Sequence, residues 1–223
     1  MGGLSGRRDA LAARRREPEG EPHGALVLLH GRGADEHDLY PLLDLLDPER
    51  RLLGVTPGGP LHLPPGGRHW YTLGGIPTPD PATFLDTVPR LEAFLDALPV
   101  PLERVVLGGF SQGAVMAWAL SLGPDRPPPA GVIAMSGFLP RVEGWPLDPG
   151  RLAGIPVAVA HGSLDPVIPS QFGKEAAETL ESAGADVLRL TAPVPHMIDG
   201  SFLEPLRELV ARATAERGPV VAD

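Results

Sequence analysis

From residue 24 onward the chain alternates between two hydrophobic rhythms. Short, almost wholly apolar runs recur at residues 25–30 (ALVLLH), 52–56, 104–108, 131–136, 156–160 and 186–190. They lack the in–out alternation of a strand with one wet face, so they predict parallel strands covered on both sides. Between them, apolar residues fall at helical spacing. Leu39, Leu42, Leu43 and Leu46 form one stripe, and Phe84, Val88, Leu91, Leu95 and Leu98 form a second at steps of three and four. Val115, Met116, Ala119 and Leu120 mark a third helix. Residues 171–183, closed by Gly184, read as a fourth, and Phe202, Leu206, Leu209, Val210 and Ala213 mark a fifth. Pro89 is expected to kink or interrupt the second helix. Strands alternating with helices predict an α/β fold on a mainly parallel sheet with helices on both faces.

The 223 residues fit one α/β domain, and a hydrophobic content of 43% suffices for one core. The expected domain spans residues 24–216, followed by a tail at 217–223. Residues 1–23 are rich in Arg, Glu and Gly and lack the apolar centre of a signal peptide. They read as a poorly structured, solvated segment with room for one short edge strand. No apolar run approaches the roughly 18 residues of a membrane span, so stable membrane insertion is not expected and a cytoplasmic location is the default. A formal charge of −9 argues against nucleic acid as a partner. With no cysteine, a cysteine nucleophile and thiolate metal sites are excluded.

Two connections are long and rich in Pro and Gly, residues 57–81 and 137–154. Both leave the carboxyl ends of strands, where open α/β sheets bind ligands. Neither is long enough for a large cap domain.

The strongest chemical signal is Gly109-Phe110-Ser111-Gln112-Gly113. With 28 Gly and 8 Ser in 223 residues, the bare G-x-S-x-G pattern arises by chance in about one chain in eight, so its setting must carry the weight. It joins a strand directly to a helix, which is what a nucleophile elbow requires, and the helix start aims free N–H groups at the reacting centre. The alternative is an ordinary turn with a capping serine. A serine hydroxyl needs a base. Asp165 follows the strand at 156–160 and His196 follows the strand at 186–190, so acid and base come after the serine in the order such an elbow demands. Alone, Asp165 would read as a turn residue before Pro166 and His196 as a loop histidine. The loop His30-Gly31-Arg32-Gly33 follows the first strand. Its Arg32 amide and the Gln112 amide are the expected oxyanion donors, with His30 as support for the loop. No H-x-x-x-H or similar ligand cluster is present, so neither metal nor other cofactor is expected.

The segments LVLLHGRGAD, HWY, VVLGGFSQGAVMA, MSGFLP, HGSLDPVIP and PVPHMID, in that order, resemble the phospholipase/carboxylesterase family of small α/β-hydrolases, which includes acyl-protein thioesterases. The resemblance covers residues 24–209. It implies the α/β-hydrolase fold, a triad of Ser111, Asp165 and His196, and oxyanion donors at Arg32 and Gln112. Members commonly carry an apolar residue where Arg32 stands, and they often form homodimers. The expected activity is hydrolysis of small-molecule carboxylic esters of short to medium acyl chains through an acyl-enzyme. Lysophospholipase or acyl thioesterase activity uses the same residues, and a non-catalytic ligand-binding module is the alternative from another class. Trp70, Tyr71, Phe138, Leu139, Trp145 and Met197 are the expected apolar walls of the substrate groove, with loop anchoring as the competing reading.

Overall fold

A computed structural model describes residues 10–215. Nine strands and five α-helices follow one another as β1 (Ala13–Arg16), β2 (Ala25–Leu29), α1 (Tyr40–Leu46), β3 (Leu53–Pro57), β4 (Leu61–His62), β5 (Arg68–His69), α2 (Pro81–Asp96), β6 (Val105–Phe110), α3 (Gln112–Leu122), β7 (Gly131–Met135), β8 (Pro156–Gly162), α4 (Gln171–Ser182), β9 (Asp186–Ala192) and α5 (Leu203–Thr214). Seven strands make the main sheet in the order β1-β3-β2-β6-β7-β8-β9. All neighbours in it are parallel except β1, which pairs antiparallel with β3. Every residue of β2, β3 and β7 is buried, as their unbroken apolar runs predict.

The helices divide between the two faces. Phe84, Val88 and Leu91 of α2 and Val115, Met116 and Leu120 of α3 share one apolar cluster with β2 and β6 side chains. Leu42, Leu43 and Leu46 of α1 join Leu206, Leu209 and Val210 of α5 in another, with Leu26, Leu28 and Val106. α3 is buried along its whole length, because it packs between the sheet and the neighbouring helices. α2 runs on through Pro89, where a kink or an interruption is expected, so the helix is not interrupted there. Its start is fixed by Asp80, whose carboxylate accepts the Thr83 amide proton at 2.9 Å.

The strand order reverses at β2: β3 lies on one side of it and β6 on the other. The connections after β2 and β6 therefore part in opposite directions and leave a crevice at the carboxyl edge. The long segment 57–81 holds a two-stranded ribbon, β4 with β5, that alternation alone does not reveal. The ribbon braces the loop after β2. Gly33 N–H donates to the Arg68 carbonyl (2.8 Å), and Arg68 N–H donates to the Ala34 carbonyl (2.7 Å). Among the described residues no helix is long and apolar enough to cross a membrane.

One boundary needs correction. The domain does not begin at residue 24, since residues 13–16 add the edge strand β1, in register from Ala13 opposite Pro57 to Arg16 opposite Gly54. An arginine-rich segment reads as solvated, yet Arg16 is buried. Its guanidinium donates to the carbonyls of Leu43 (2.7 Å) and Asp47 (3.0 Å) at the end of α1, to the Leu52 carbonyl (3.1 Å), and to the Asp47 carboxylate. Helix-end carbonyls and one buried carboxylate thus satisfy a charge that hydropathy places in water. The calls on residues 1–9 and 217–223 lie outside the described residues.

Replacing Asp47 by Ala should leave Arg16 with only the half-exposed Asp44, 3.3 Å away, as counter-ion, and should remove the acceptor for the Arg51 and Leu52 amides. The expected loss is about 3–5 kcal/mol of stability, read from thermal or urea unfolding. A change within experimental error would mean that Arg16 is not held as described.

Candidate active site

Three connections bring Ser111, Asp165 and His196 together. Ser111 sits between β6 and α3 at φ 54° and ψ −119°, a left-handed backbone that a residue with a β-carbon adopts only under constraint. Two glycines make the constraint possible. A β-carbon on Gly109 would lie 2.4 Å from the Gly113 carbonyl carbon, and one on Gly113 would lie 1.9 Å from the Leu29 carbonyl oxygen. The Ser111 amide donates to the Met135 carbonyl at 2.9 Å, which ties the turn to β7.

His196 reaches this turn from the far edge of the sheet. Its strand β9 is three places from β6, about 14 Å at ordinary strand spacing, so the connection after β9 runs back across the carboxyl edge. His196 Nε2 lies 2.9 Å from Ser111 Oγ, and its Nδ1 lies 2.6 Å from Asp165 Oδ2. The Phe110 ring lies beside the imidazole, centroids 4.8 Å apart. The Asp165 side chain is fully buried, and its Oδ1 accepts the Val167 (2.8 Å) and Ile168 (2.9 Å) amide protons. Burial pushes its pKa up. The His196 hydrogen bond and the two amides more than offset this, and the carboxyl ends below its ordinary value. It is an anion held in a fixed direction.

The loop after β2 faces the turn. A β-carbon on Gly31 would lie 3.2 Å from the Phe110 ring and 3.5 Å from Ser111 Cβ, so glycine lets this backbone close on the serine. His30 supports it as a neutral ring: Nδ1–H donates to the Gly31 carbonyl (2.6 Å), and Nε2 accepts the Gly59 amide proton (2.9 Å). Burial lowers its pKa and favours that form. Arg32 has an exposed side chain. The His69 pKa is lowered, by burial first and then by the Arg32 charge. Gln112 opens α3, and its amide is one of the donors a helix start leaves without an internal partner.

The expected substrate walls fare differently. Trp70, Tyr71 and Phe138 are buried members of the core. Trp70 is a bracket: its indole N–H donates to the His30 carbonyl (2.8 Å), and its amide donates to Gln112 Oε1 (3.1 Å). Gln112 Nε2 then donates to the Tyr71 carbonyl (2.9 Å). Leu139 and Trp145 are partly buried and, with Phe172, line a hollow of about 580 Å³ to which none of Ser111, Asp165 and His196 contributes. The Trp145 indole is tied to α3 through the Ala119 carbonyl (3.1 Å). Met197 is exposed and lines a hollow shared with His196.

Two residues escaped the sequence reading. One is the Gln112 side chain, whose links to Trp70 and Tyr71 span some forty positions and leave no local signal. The other is His161, at the end of β8. Its Nε2–H donates to the Ile168 carbonyl (2.8 Å) and Nε2 lies 3.4 Å from Asp165 Oδ2, so it steadies the loop that carries Asp165. Its place four residues before Asp165, in HGSLD, was the available clue. Among the described residues no group of three or more His, Cys, Asp or Glu side chains is arranged to hold a metal ion.

A mainly parallel sheet, an elbow between β6 and α3, and no large cap define an α/β-hydrolase. The phospholipase/carboxylesterase family model matches residues 13–213. Acyl-protein thioesterase 1 of Candida albicans is 29% identical over 183 residues, covering 72% of this chain and 78% of that protein. Among solved structures, esterase PE8 is 26% identical with a TM-score of 0.77, covering 92% of this chain and 100% of that one. The Bacillus cereus carboxylesterase is 25% identical with a TM-score of 0.78, covering 91% and 94%. The chain belongs to the phospholipase/carboxylesterase family.

Trp70→Ala should act as a core deletion and not as a trimmed substrate wall. It should cost about 3–5 kcal/mol of stability. Turnover of short and long esters should fall in equal proportion, since the bracket behind Gln112 and His30 is lost. A selective rise in KM for long esters would instead restore Trp70 to the groove.

Proposed function

We propose that this ester hydrolase cleaves carboxylic esters of short to medium acyl chains through an acyl-enzyme on Ser111, with His196 as base and Asp165 as the acid that orients it. The observation that carries the reading is the unbroken chain from Asp165 Oδ2 through both ring nitrogens of His196 to Ser111 Oγ, at 2.6 and 2.9 Å. Asp165 accepts from Nδ1–H, which leaves the Nε2 lone pair facing the serine hydroxyl. As Ser111 Oγ attacks the acyl carbon, its proton passes to Nε2, and the buried carboxylate stabilises the imidazolium. The negative charge on the former carbonyl oxygen is met by the amides of Gln112 and Arg32. His196 returns its proton to the leaving oxygen, and water then repeats the sequence to free the acid.

The acyl preference follows from what does not surround the site. Among the described residues no cap encloses it, and Trp70, Tyr71 and Phe138 are buried in the core. An acyl methylene that projects into water contributes nothing to binding, whereas one against an apolar wall contributes up to about 0.8 kcal/mol. The relatives named acyl-protein thioesterase favour a second reading, thioester cleavage by the same steps. A panel of p-nitrophenyl esters from acetate to palmitate, run beside an acyl thioester, decides between them. kcat/KM is expected to rise from acetate and to flatten or fall beyond medium length. A continuous rise to palmitate would contradict the acyl-length assignment.

Ser111→Ala should lower kcat on the order of 10⁶-fold with an unchanged circular dichroism spectrum. Asp165→Asn should lower it about 10⁴-fold through the wrong tautomer. Because the carboxyl of Asp165 lies below its ordinary value of about 3.9, it stays ionised throughout the working range. The acid limb of kcat/KM should therefore follow a single proton and not a second one on Asp165. A limb that needs two protons would place Asp165 among the titrating groups.

A further inference from the structure

A hollow of about 450 Å³ opens on His196. Leu39, at the cap of α1, with Leu42 and Leu45 of α1, lines it on one side, and Phe110, Met197 and Leu203 line it around the histidine. Six large hydrophobic side chains are exposed among the described residues, and two of them, Leu45 and Met197, line this hollow. Among the described residues that line it, the acidic ones are Asp38 and Asp199, and none is Lys or Arg. Asp199 is already engaged, since its Oδ1 accepts from the Ser201 amide at 2.9 Å.

The hollow belongs to one half of the reaction. On the mechanism proposed above, on which this inference rests, the acyl oxygen is held by the amides of Gln112 and Arg32, and neither residue lines the hollow. The leaving oxygen must reach His196 Nε2 to take its proton. A wall that contains His196 and the adjoining Phe110 ring therefore continues the leaving-group side. We infer that this hollow binds the apolar part of the leaving alcohol or thiol, so that the enzyme selects esters of uncharged alkyl or aryl alcohols. Two carboxylates among the lining residues disfavour an anionic leaving group.

The test uses two ester series on the full chain. One keeps the acetyl group and lengthens the alcohol from methyl to hexyl, alcohols of nearly equal acidity. The other keeps a methyl alcohol and lengthens the acyl chain. In the wild type, kcat/KM should rise with alcohol length by up to about fourfold per methylene that finds a wall. Leu45→Ala and Met197→Ala should flatten that rise while the acyl-length profile keeps its slope. Both positions are exposed, and circular dichroism and melting temperature check that the fold is kept. Hexyl acetate cleaved no better than methyl acetate, or variants that flatten the acyl series instead, would overturn the assignment. A fluorophosphonate probe at Ser111 separates the two levels. Labelling with a flat alcohol series defeats this inference alone, while failure to label defeats the proposed mechanism and the inference with it.

Discussion

The first turn of α3 approaches β2 so closely that a single methyl group at Gly113 would stand 1.9 Å from the Leu29 carbonyl oxygen. That approach governs the geometry around Ser111. It forces the chain to turn sharply between β6 and α3, holds Ser111 at a positive φ, and leaves the start of α3 aimed into the crevice beside β2. Gly31 completes the arrangement from the opposing loop by bringing its backbone against Phe110 and Ser111. Side-chain volume is excluded from three places so that backbone groups can meet there.

Rigidity of this kind needs support from outside the turn, and a polar bracket buried in the core supplies it. The Gln112 side chain holds the backbone of Trp70 and Tyr71, Trp70 holds the carbonyl of His30, and His30 holds Gly31 and Gly59. Every member is buried and hydrogen-bonded, the condition under which a polar network stiffens a core without weakening it. The two amides assigned to the oxyanion belong to residues on either side of this bracket. Asp165 is organised on the same principle, with two backbone amides on one oxygen, His196 on the other and His161 alongside.

Much of the fold was legible because it is written in local periodicity. Five buried strands and five helices appear as runs and stripes. β9, expected to be covered on both faces, is instead exposed or half-buried along most of its length, because it is the edge of the sheet. The order Ser111, Asp165, His196 after β6, β8 and β9 places all three at one edge of the sheet. What was not legible involves long separations or unusual burial. The short edge strand allowed for in the arginine-rich segment is β1, but the burial of Arg16 was hidden, because carbonyls at the end of α1 satisfy it some thirty residues away. The β4–β5 ribbon pairs only two residues on each side, too few to show alternation.

By itself the sequence determined the parallel sheet, the elbow at Ser111, and the chain order of the three side chains that now lie within hydrogen-bonding reach. Strand burial and turn chemistry are set by neighbours a few residues apart, so the linear pattern carries them. Only the tertiary structure decided which apolar side chains of the carboxyl-edge loops face the core and which stay exposed. Trp70, Tyr71 and Phe138 went inward and Met197 stayed out, although all four read alike along the chain. An aromatic residue in a loop can bury its surface against its own protein or against a substrate with similar gain, and the choice rests on distances to residues remote in sequence.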